Sequence, residues 1–140
     1  MRERQREAEV LAAPVGRLAT LNPDGSAHVV PLCFVLAQAR IYWAVDQKPK
    51  RTRQLRRLAN LLRDPRVSLL VDHYEADWDR LWWVRIQGRA TVLEAGPEQA
   101  SALQLLQAKY PQYAAQAPAG PFVRITIEAW AAWPPSLDAH

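Results

Sequence analysis

The chain has 140 residues, 49% of them hydrophobic, so it has the size of one domain and enough apolar side chains for a core, which excludes general disorder. Its net charge of +4 favours an anionic partner. Its one cysteine, Cys33, cannot form an internal disulfide, and no apolar run reaches the roughly 18–20 residues of a membrane span, so we expect a cytoplasmic protein with no membrane partner.

The beginning of the chain predicts a short helix followed by a β-hairpin. Residues 2–13 carry apolar side chains at helical spacing and stop at Pro14, which indicates a short N-terminal helix. Residues 15–21 have strand character, and the sequence Asn22-Pro23-Asp24-Gly25 is a strong turn signal. Residues 26–36 then form the second arm of the hairpin.

The second arm is apolar on both faces. His28, Val30 and Leu32 share one face, while Val29 and Pro31 lie on the other, so we expect both sides of this strand to be covered. Pro31 has no N–H to donate, which predicts an edge or a bulge at this point. The backbone groups left free there could meet a flat ligand, although an ordinary bulge at a barrel corner explains the pattern equally well.

A basic turn follows the third predicted strand, residues 40–45. Lys48, Lys50 and Arg51 stand where this strand gives way to an amphipathic helix. A helix start presents free N–H groups to an anion, and the surrounding positive charge indicates a phosphate. The alternative is a solvated basic face of the helix, which explains most charge runs.

The amphipathic helix ends before Asp64-Pro65, and its apolar stripe is predicted to consist of Leu55, Leu58 and Leu62. Because the positive charge is concentrated here rather than spread over several elements, it suits a small phosphorylated ligand better than nucleic acid. Binding of nucleic acid through this arginine-rich helix is the weaker alternative, and it predicts a steep salt dependence.

The second half of the chain alternates strands with one further helix. Strands are predicted at residues 67–71, 81–94 and 122–130, a helix at 98–109 and a loop at 111–121. Together these give about six strands and two or three helices in a single domain, residues 1–140. The pattern is typical of a small closed or half-closed antiparallel barrel with helices on its rim, a mainly β (α+β) fold.

The chain lacks a convincing set of catalytic or metal-binding residues. No Ser/His/Asp arrangement has supporting context, and the five glycines are not clustered as in a phosphate loop. The histidines His28, His73 and His140 are scattered, which argues against zinc, and the acidic residues of segment 72–79 lack EF-hand spacing. We therefore predict no catalytic side chain and no metal.

Six tryptophans are many for a chain of this length. Trp78 and the pair Trp82-Trp83 suggest aromatic walls for a ring system, for the core or for a subunit interface. Arg85 and Gln87 share the Trp83 face of their strand, and polar groups on a covered face need a partner. A second subunit or an anionic cofactor would provide one.

Several motifs occur in a recognisable order, and they are Val15–Thr20 with Pro23-Asp24-Gly25, His28–Leu32, Lys48-Pro49-Lys50, Arg56–Asn60, Asp64–Asp72, and Asp77-Trp78 with Leu81–Ala90. This series resembles the split β-barrel proteins related to pyridoxamine 5′-phosphate oxidase. The last motif resembles the branch that uses the deazaflavin coenzyme F420. The resemblance implies a six-stranded antiparallel split barrel with two to three peripheral helices, which forms a homodimer with a cofactor at the subunit interface.

The resemblance also implies roles for particular residues. Those expected to border the cofactor ring are Val29, Val30, Pro31 and Leu32, together with Trp43, Ala44 and Val45. Those expected to hold the phosphate are Lys48, Lys50 and Arg51, with Arg57 and Asn60 close behind. Trp83 and Arg85 would come from the strand that faces the dimer partner. The C-terminal Arg/His motif of the classical oxidases is missing from residues 133–140, so vitamin B6 oxidation is not expected.

These features predict an oxidoreductase that transfers a hydride between a bound cofactor and a small conjugated acceptor. We expect coenzyme F420 rather than FMN, because its polyglutamate tail suits the surplus of Arg51, Arg53, Arg56 and Arg57, whereas FMN ends in one phosphate. An FMN enzyme is one alternative. A non-catalytic protein that carries flavin, haem or tetrapyrrole on the same barrel is another.

Overall fold

A computed structural model describes residues 4–45 and 51–138, with only the backbone described for residues 51–55. Seven strands form one antiparallel sheet. They are β1 (Gly16–Leu21), β2 (Ala27–Leu32), β3 (Val35–Ala37), β4 (Arg40–Ala44), β5 (Arg66–His73), β6 (Trp82–Val92) and β7 (Phe122–Trp133). The helices are α1 (Gln5–Ala12), α2 (Arg51–Arg63), α3 (Pro97–Lys109) and α4 (Pro111–Ala115), with single 3₁₀ turns at Trp78–Arg80 and Pro135–Asp138.

The order of the strands shows that the sheet curls into a half-barrel. Neighbouring strands follow the order β2-β1-β5-β6-β7-β4-β3, so the consecutive strands β2 and β3 lie at opposite edges. Only Cys33 and Phe34 connect them, and a connection this short requires the two edges to approach each other. The fold is therefore an antiparallel split barrel with peripheral helices, as predicted.

The predicted count of six strands is wrong by one, because the second hairpin arm divides into β2 and β3. Tyr110 ends the ladder at this point: its hydroxyl accepts a hydrogen bond from Phe34 N at 3.0 Å and lies 2.9 Å from Phe34 O. The single hydroxyl proton is shared between the carbonyls of Phe34 and Pro14, the latter at 3.0 Å. The backbone of Phe34 thus bonds to a side chain instead of to a strand. The segment predicted as a loop after α3 also contains a short helix, α4.

The barrel interior holds the main core. Inward side chains alternate along the strands, and Leu18, Leu69, Ile86 and Ile125 are all fully buried. A second apolar cluster lies where α3 and α4 pack on β3 and β4. None of the described helices is long and apolar enough to cross a membrane.

Helix α2 packs against β1 and β6 and ends at Arg63, before Asp64-Pro65 as predicted. Its apolar stripe differs from the prediction. Leu61 is 2% exposed and Leu58 packs on the core, whereas Leu62 is 71% exposed. The apolar stripe therefore runs through Leu58 and Leu61, which are three residues apart, and the assignment of Leu62 to it is wrong.

Candidate functional site

The outer face of β2 is open in the single chain, so among the described residues only the inward side of this strand is covered. Val29 is 59% exposed and Pro31 is also exposed, while Val30 is half-buried and Leu32 is buried against the core. β2 pairs only with β1, so Pro31 does lie on an edge strand. The other edge of β2 presents backbone groups that a ligand or another chain can reach.

The predicted ring-bordering residues of β4 are buried. Trp43 is fully buried, and Ala44 and Val45 are 7% and 8% exposed. The backbone of Val45 is already occupied, because its N–H donates to Pro121 O and its carbonyl accepts from Gly120 N. Both backbone groups of Val45 are therefore already hydrogen-bonded, whereas the buried indole N–H of Trp43 has no partner among the described residues.

A cluster of polar atoms without partners lies under α2. The guanidinium of Arg57 lies 5.2 Å from the centre of the Trp43 ring. Arg57 Nε, Trp43 Nε1 and His28 Nδ1 are all buried, and no described residue hydrogen-bonds to them. The first two atoms can only donate, so an acceptor-rich, anionic group would satisfy them. We call these three residues the donor cluster.

Electrostatics support an anion at the donor cluster. Burial lowers the pKa of Arg57, because a charged guanidinium is costly away from water. Burial also lowers the pKa of His28, and the positive charges of Arg56 and Arg57 lower it further. A negative group near these side chains would offset the cost in both cases.

His28 was not among the residues expected to bind the cofactor. It faces the barrel interior together with Val30 and Leu32, and it lies opposite Thr20 in the β1–β2 ladder. The available sequence signal was its place on the inward face of an apolar strand, where a polar side chain needs a partner.

Asn60 belongs to a buried polar network that ties α2 to β1. Its amide Nδ2 donates to Thr20 Oγ1 at 3.1 Å and to Asn22 Oδ1 at 3.0 Å, and the residue is only 1% exposed. Arg63 donates to Asn60 Oδ1 and to the carbonyl of Leu21. Asn60 thus holds the C-terminal end of α2 against β1, and its amide hydrogens are already in use.

The basic turn can be placed only in part. Lys48 and Lys50 lie outside the described residues, and Arg51 is described as the first residue of α2 by its backbone alone. Arg56 is exposed on α2, one residue before Arg57.

Trp83 and Arg85 lie on the outer face of the sheet, with the Arg85 guanidinium 5.4 Å from the centre of the Trp83 ring. Within one chain they do not join the donor cluster, because their side chains alternate with the inward Val84 and Ile86 of β6. The described residues of a single chain therefore keep these two side chains apart from the donor cluster.

The outer face is shallow and rich in small or apolar side chains. Cross-strand registers align two rows, which are Pro31, Arg17, Leu70, Arg85 and Ala131, and Val29, Ala19, Ser68, Gln87 and Ala129. A depression of about 310 Å³ lies beside the second row. Such a face is suited to contact with another protein surface.

Among residues 4–45 and 51–138, no three His, Cys, Asp or Glu side chains form a group that could hold a metal ion. His73 Nε2 contacts the carboxylate of Glu75, which also pairs with Arg80. This arrangement stabilises the loop between β5 and β6 and offers no further ligand.

Comparisons with known proteins agree with this geometry. The family model of pyridoxamine 5′-phosphate oxidase matches residues 2–134. No curated protein sequence matches the chain.

Solved structures share the fold. A conserved hypothetical protein from Mycobacterium tuberculosis is 24% identical, with a TM-score of 0.76 over 95% of this chain and 84% of its own. An FAD-binding protein from Mesorhizobium loti is 25% identical, with a TM-score of 0.68 over 91% of each chain. A heme-binding protein from Mycobacterium smegmatis is 21% identical, with a TM-score of 0.70 over 94% of this chain and 54% of its own.

Proposed function

The chain belongs to the pyridoxamine 5′-phosphate oxidase family, and from this premise we propose that it is an oxidoreductase that binds the deazaflavin coenzyme F420 between two copies of the chain. The reaction would be hydride transfer between the cofactor and a small conjugated acceptor. An FMN enzyme on the same site is the alternative cofactor assignment.

The observation that carries this proposal is the donor cluster. Arg57 Nε and Trp43 Nε1 are buried donors with no acceptor among the described residues. An unpaired buried donor costs roughly 1–3 kcal/mol, and this cost is removed when a ligand supplies the acceptor. A phosphate group or the hydroxyl-rich chain of a flavin-type cofactor has acceptors of this kind.

The distribution of arginines supports F420 over FMN. Arg51, Arg53, Arg56 and Arg57 follow each other closely at the start of α2. One phosphate needs only one or two of these charges, whereas a polyglutamate tail offers several carboxylates for charge-assisted hydrogen bonds. The exposed Arg56 is available to such a tail outside the donor cluster.

The open outer face supports a proposed homodimer. Association of two copies would cover Val29 and Pro31 and would bring Trp83 and Arg85 of one copy towards the cofactor of the other. Sedimentation at micromolar concentration should give twice the mass of the chain. Ser68→Glu, which adds a charge in the middle of this face, should give a monomer, and a monomeric wild-type protein would contradict the arrangement.

The residues of the donor cluster would then have separate roles in binding the cofactor. Arg57 and His28 would bind acidic and polar groups of the cofactor, and Trp43 would donate from Nε1 and contact it with its ring. The bound deazaflavin supplies the hydride, so the protein needs to supply only orientation and electrostatics. This agrees with the sequence analysis, which predicts no catalytic side chain.

Titration calorimetry of the cofactor-free protein tests the proposal. We expect F420 to bind more tightly than FMN, and removal of the polyglutamate tail to weaken F420 binding. Tighter FMN binding with no F420 binding would overturn the cofactor assignment, and binding of neither would overturn the function.

A non-catalytic carrier is the second candidate, since structures similar to this chain include an FAD-binding protein and a heme-binding protein. A turnover assay distinguishes an enzyme from a non-catalytic carrier. The enzyme must oxidise reduced F420 in the presence of a quinone or an enone, whereas a carrier binds its ligand without consuming it.

A further inference from the structure

A second cavity, of about 360 Å³, lies on the side of the molecule where the β5–β6 loop meets the end of β7. Six residues line it, and they are Tyr74, Trp78, Leu81, Trp82, Trp83 and Trp133. Five of the six are aromatic. The volume falls within the range of about 300–1,000 Å³ that is typical of small-molecule sites. We call it the aromatic cavity.

The walls of the aromatic cavity are unusually exposed for large aromatic side chains. Tyr74 and Trp78 are 74% and 75% exposed, and Trp133 is 45% exposed. Aromatic rings normally bury most of their area, and exposed apolar surface gathered around one cavity marks a binding site. Trp82 is half-buried and packs on the core, so it forms the fixed base of the cavity.

Local hydrogen bonds hold the aromatic walls in place. The carboxylate of Asp77 accepts from Asp79 N at 3.1 Å and caps the 3₁₀ turn that contains Trp78. Trp83 and Trp133 lie directly opposite each other in the β6–β7 ladder, so their rings stand side by side on the outer face. The cavity is therefore built from a capped turn and two paired strands.

Charge determines the class of ligand. None of the six lining residues carries a charge, so the wall offers no ion pair to a phosphate. Aromatic rings can attract a cation, but the positive guanidinium of Arg85 against Trp83 opposes a cationic ligand. The guanidinium of Arg85 lies against Trp83 at 5.4 Å and places hydrogen-bond donors beside the ring. Uncharged aromatic walls suit a flat conjugated ring, and the neighbouring guanidinium suits a carbonyl oxygen on that ring.

We propose that the aromatic cavity binds a flat, uncharged ligand of two or three fused rings with a carbonyl group, and that it is the acceptor site of the proposed reductase. Its role as an acceptor site rests on the proposed function. Ring binding does not rest on it, because none of the six residues belongs to the donor cluster under α2. Trp83 is the lining residue that the proposed homodimer also turns towards the partner's cofactor.

Acridone, a neutral and fluorescent three-ring ketone, is a suitable probe. We expect it to bind the cofactor-free protein, with fluorescence anisotropy as the measurement. Trp78→Ala should weaken this binding about tenfold or more, because one stacking wall is lost. Leu62→Ala is the matched control, since it removes an equally exposed apolar side chain on α2 and should leave acridone binding unchanged.

Each result has a clear meaning. The proposal would be overturned if acridone failed to bind, or if it bound the Trp78→Ala variant as tightly as the wild type. Failure to bind is the result expected if a second copy of the chain fills the cavity. Displacement of acridone by choline would instead indicate a site for cations. Displacement by F420 would show that the cofactor ring itself occupies the cavity, which would also overturn an acceptor site. Loss of F420 binding with acridone binding intact would refute the proposed cofactor and leave the ring site standing.

Discussion

Replacing Arg57 by methionine tests whether the donor cluster is kept for a ligand or for the fold. The change removes the guanidinium from above the Trp43 ring and keeps an unbranched side chain. Loss of a desolvated cation–π contact costs about 1–2 kcal/mol. The change also removes a buried Nε that has no partner among the described residues, and the loss of its desolvation cost should stabilise the fold by about 1–3 kcal/mol. Taken together, these two effects should lower the free energy of unfolding by no more than about 1 kcal/mol, a fall in Tm of a few degrees at most.

Ligand affinity should behave differently. A hydrogen bond from a charged group contributes about 1.5–3 kcal/mol, so Arg57→Met should weaken F420 binding by roughly 10- to 150-fold. Urea unfolding gives the stability, and titration calorimetry gives the affinity. Arg40→Met is the matched control, because it removes the same charge from an exposed residue whose partner Glu98 keeps its bonds to Arg124 and Tyr42. A loss of about 3 kcal/mol in stability together with unchanged affinity would refute the reasoning, because Arg57 would then be structural.

Three further predictions concern the fold. Tyr110→Phe should lower the free energy of unfolding by about 1–3 kcal/mol, because the buried hydroxyl accepts from Phe34 N and donates to the carbonyls of Phe34 and Pro14; an unchanged urea midpoint would contradict this. Gly88→Ala should lower Tm, since a Cβ would clash with Thr126 O at the β6–β7 bulge; a wild-type Tm would show that β6 and β7 can move apart to accommodate the methyl group. Burial lowers the pKa of Lys109 from 10.5 to about 8, so its NMR titration should be centred near pH 8. Between these values the unfolded chain holds more protons at this site, so the protein should gain stability as pH rises through this interval, and Lys109→Met should lack this gain.

Much of the fold could be predicted from the sequence, because alternation of apolar and polar residues marks strands well. The split between β2 and β3 could not, since Cys33 and Phe34 continue an apolar run and the hydroxyl that ends the ladder belongs to Tyr110, 76 residues further along the chain. The stripe of α2 was also ambiguous, because Leu61 and Leu62 are adjacent and only packing against the barrel selects one of them.

The candidate site was less accessible to sequence reasoning. Arg57 and Trp43 were both expected near the cofactor, but their contact across α2 and β4 depends on how the helix docks. His28 was missed because its burial depends on that same docking. Asn60 was expected to contact the cofactor, yet its amide serves Thr20 and Asn22, which no local pattern reveals.

A crystal structure of the protein with F420 tests the central claim most directly. We expect two copies of the chain, with an acidic or polar group of the cofactor within hydrogen-bond distance of Arg57 and Trp43 Nε1, and with Trp83 and Arg85 supplied by the other copy. A monomer, or a cofactor that leaves the donor cluster without an acceptor, would contradict it.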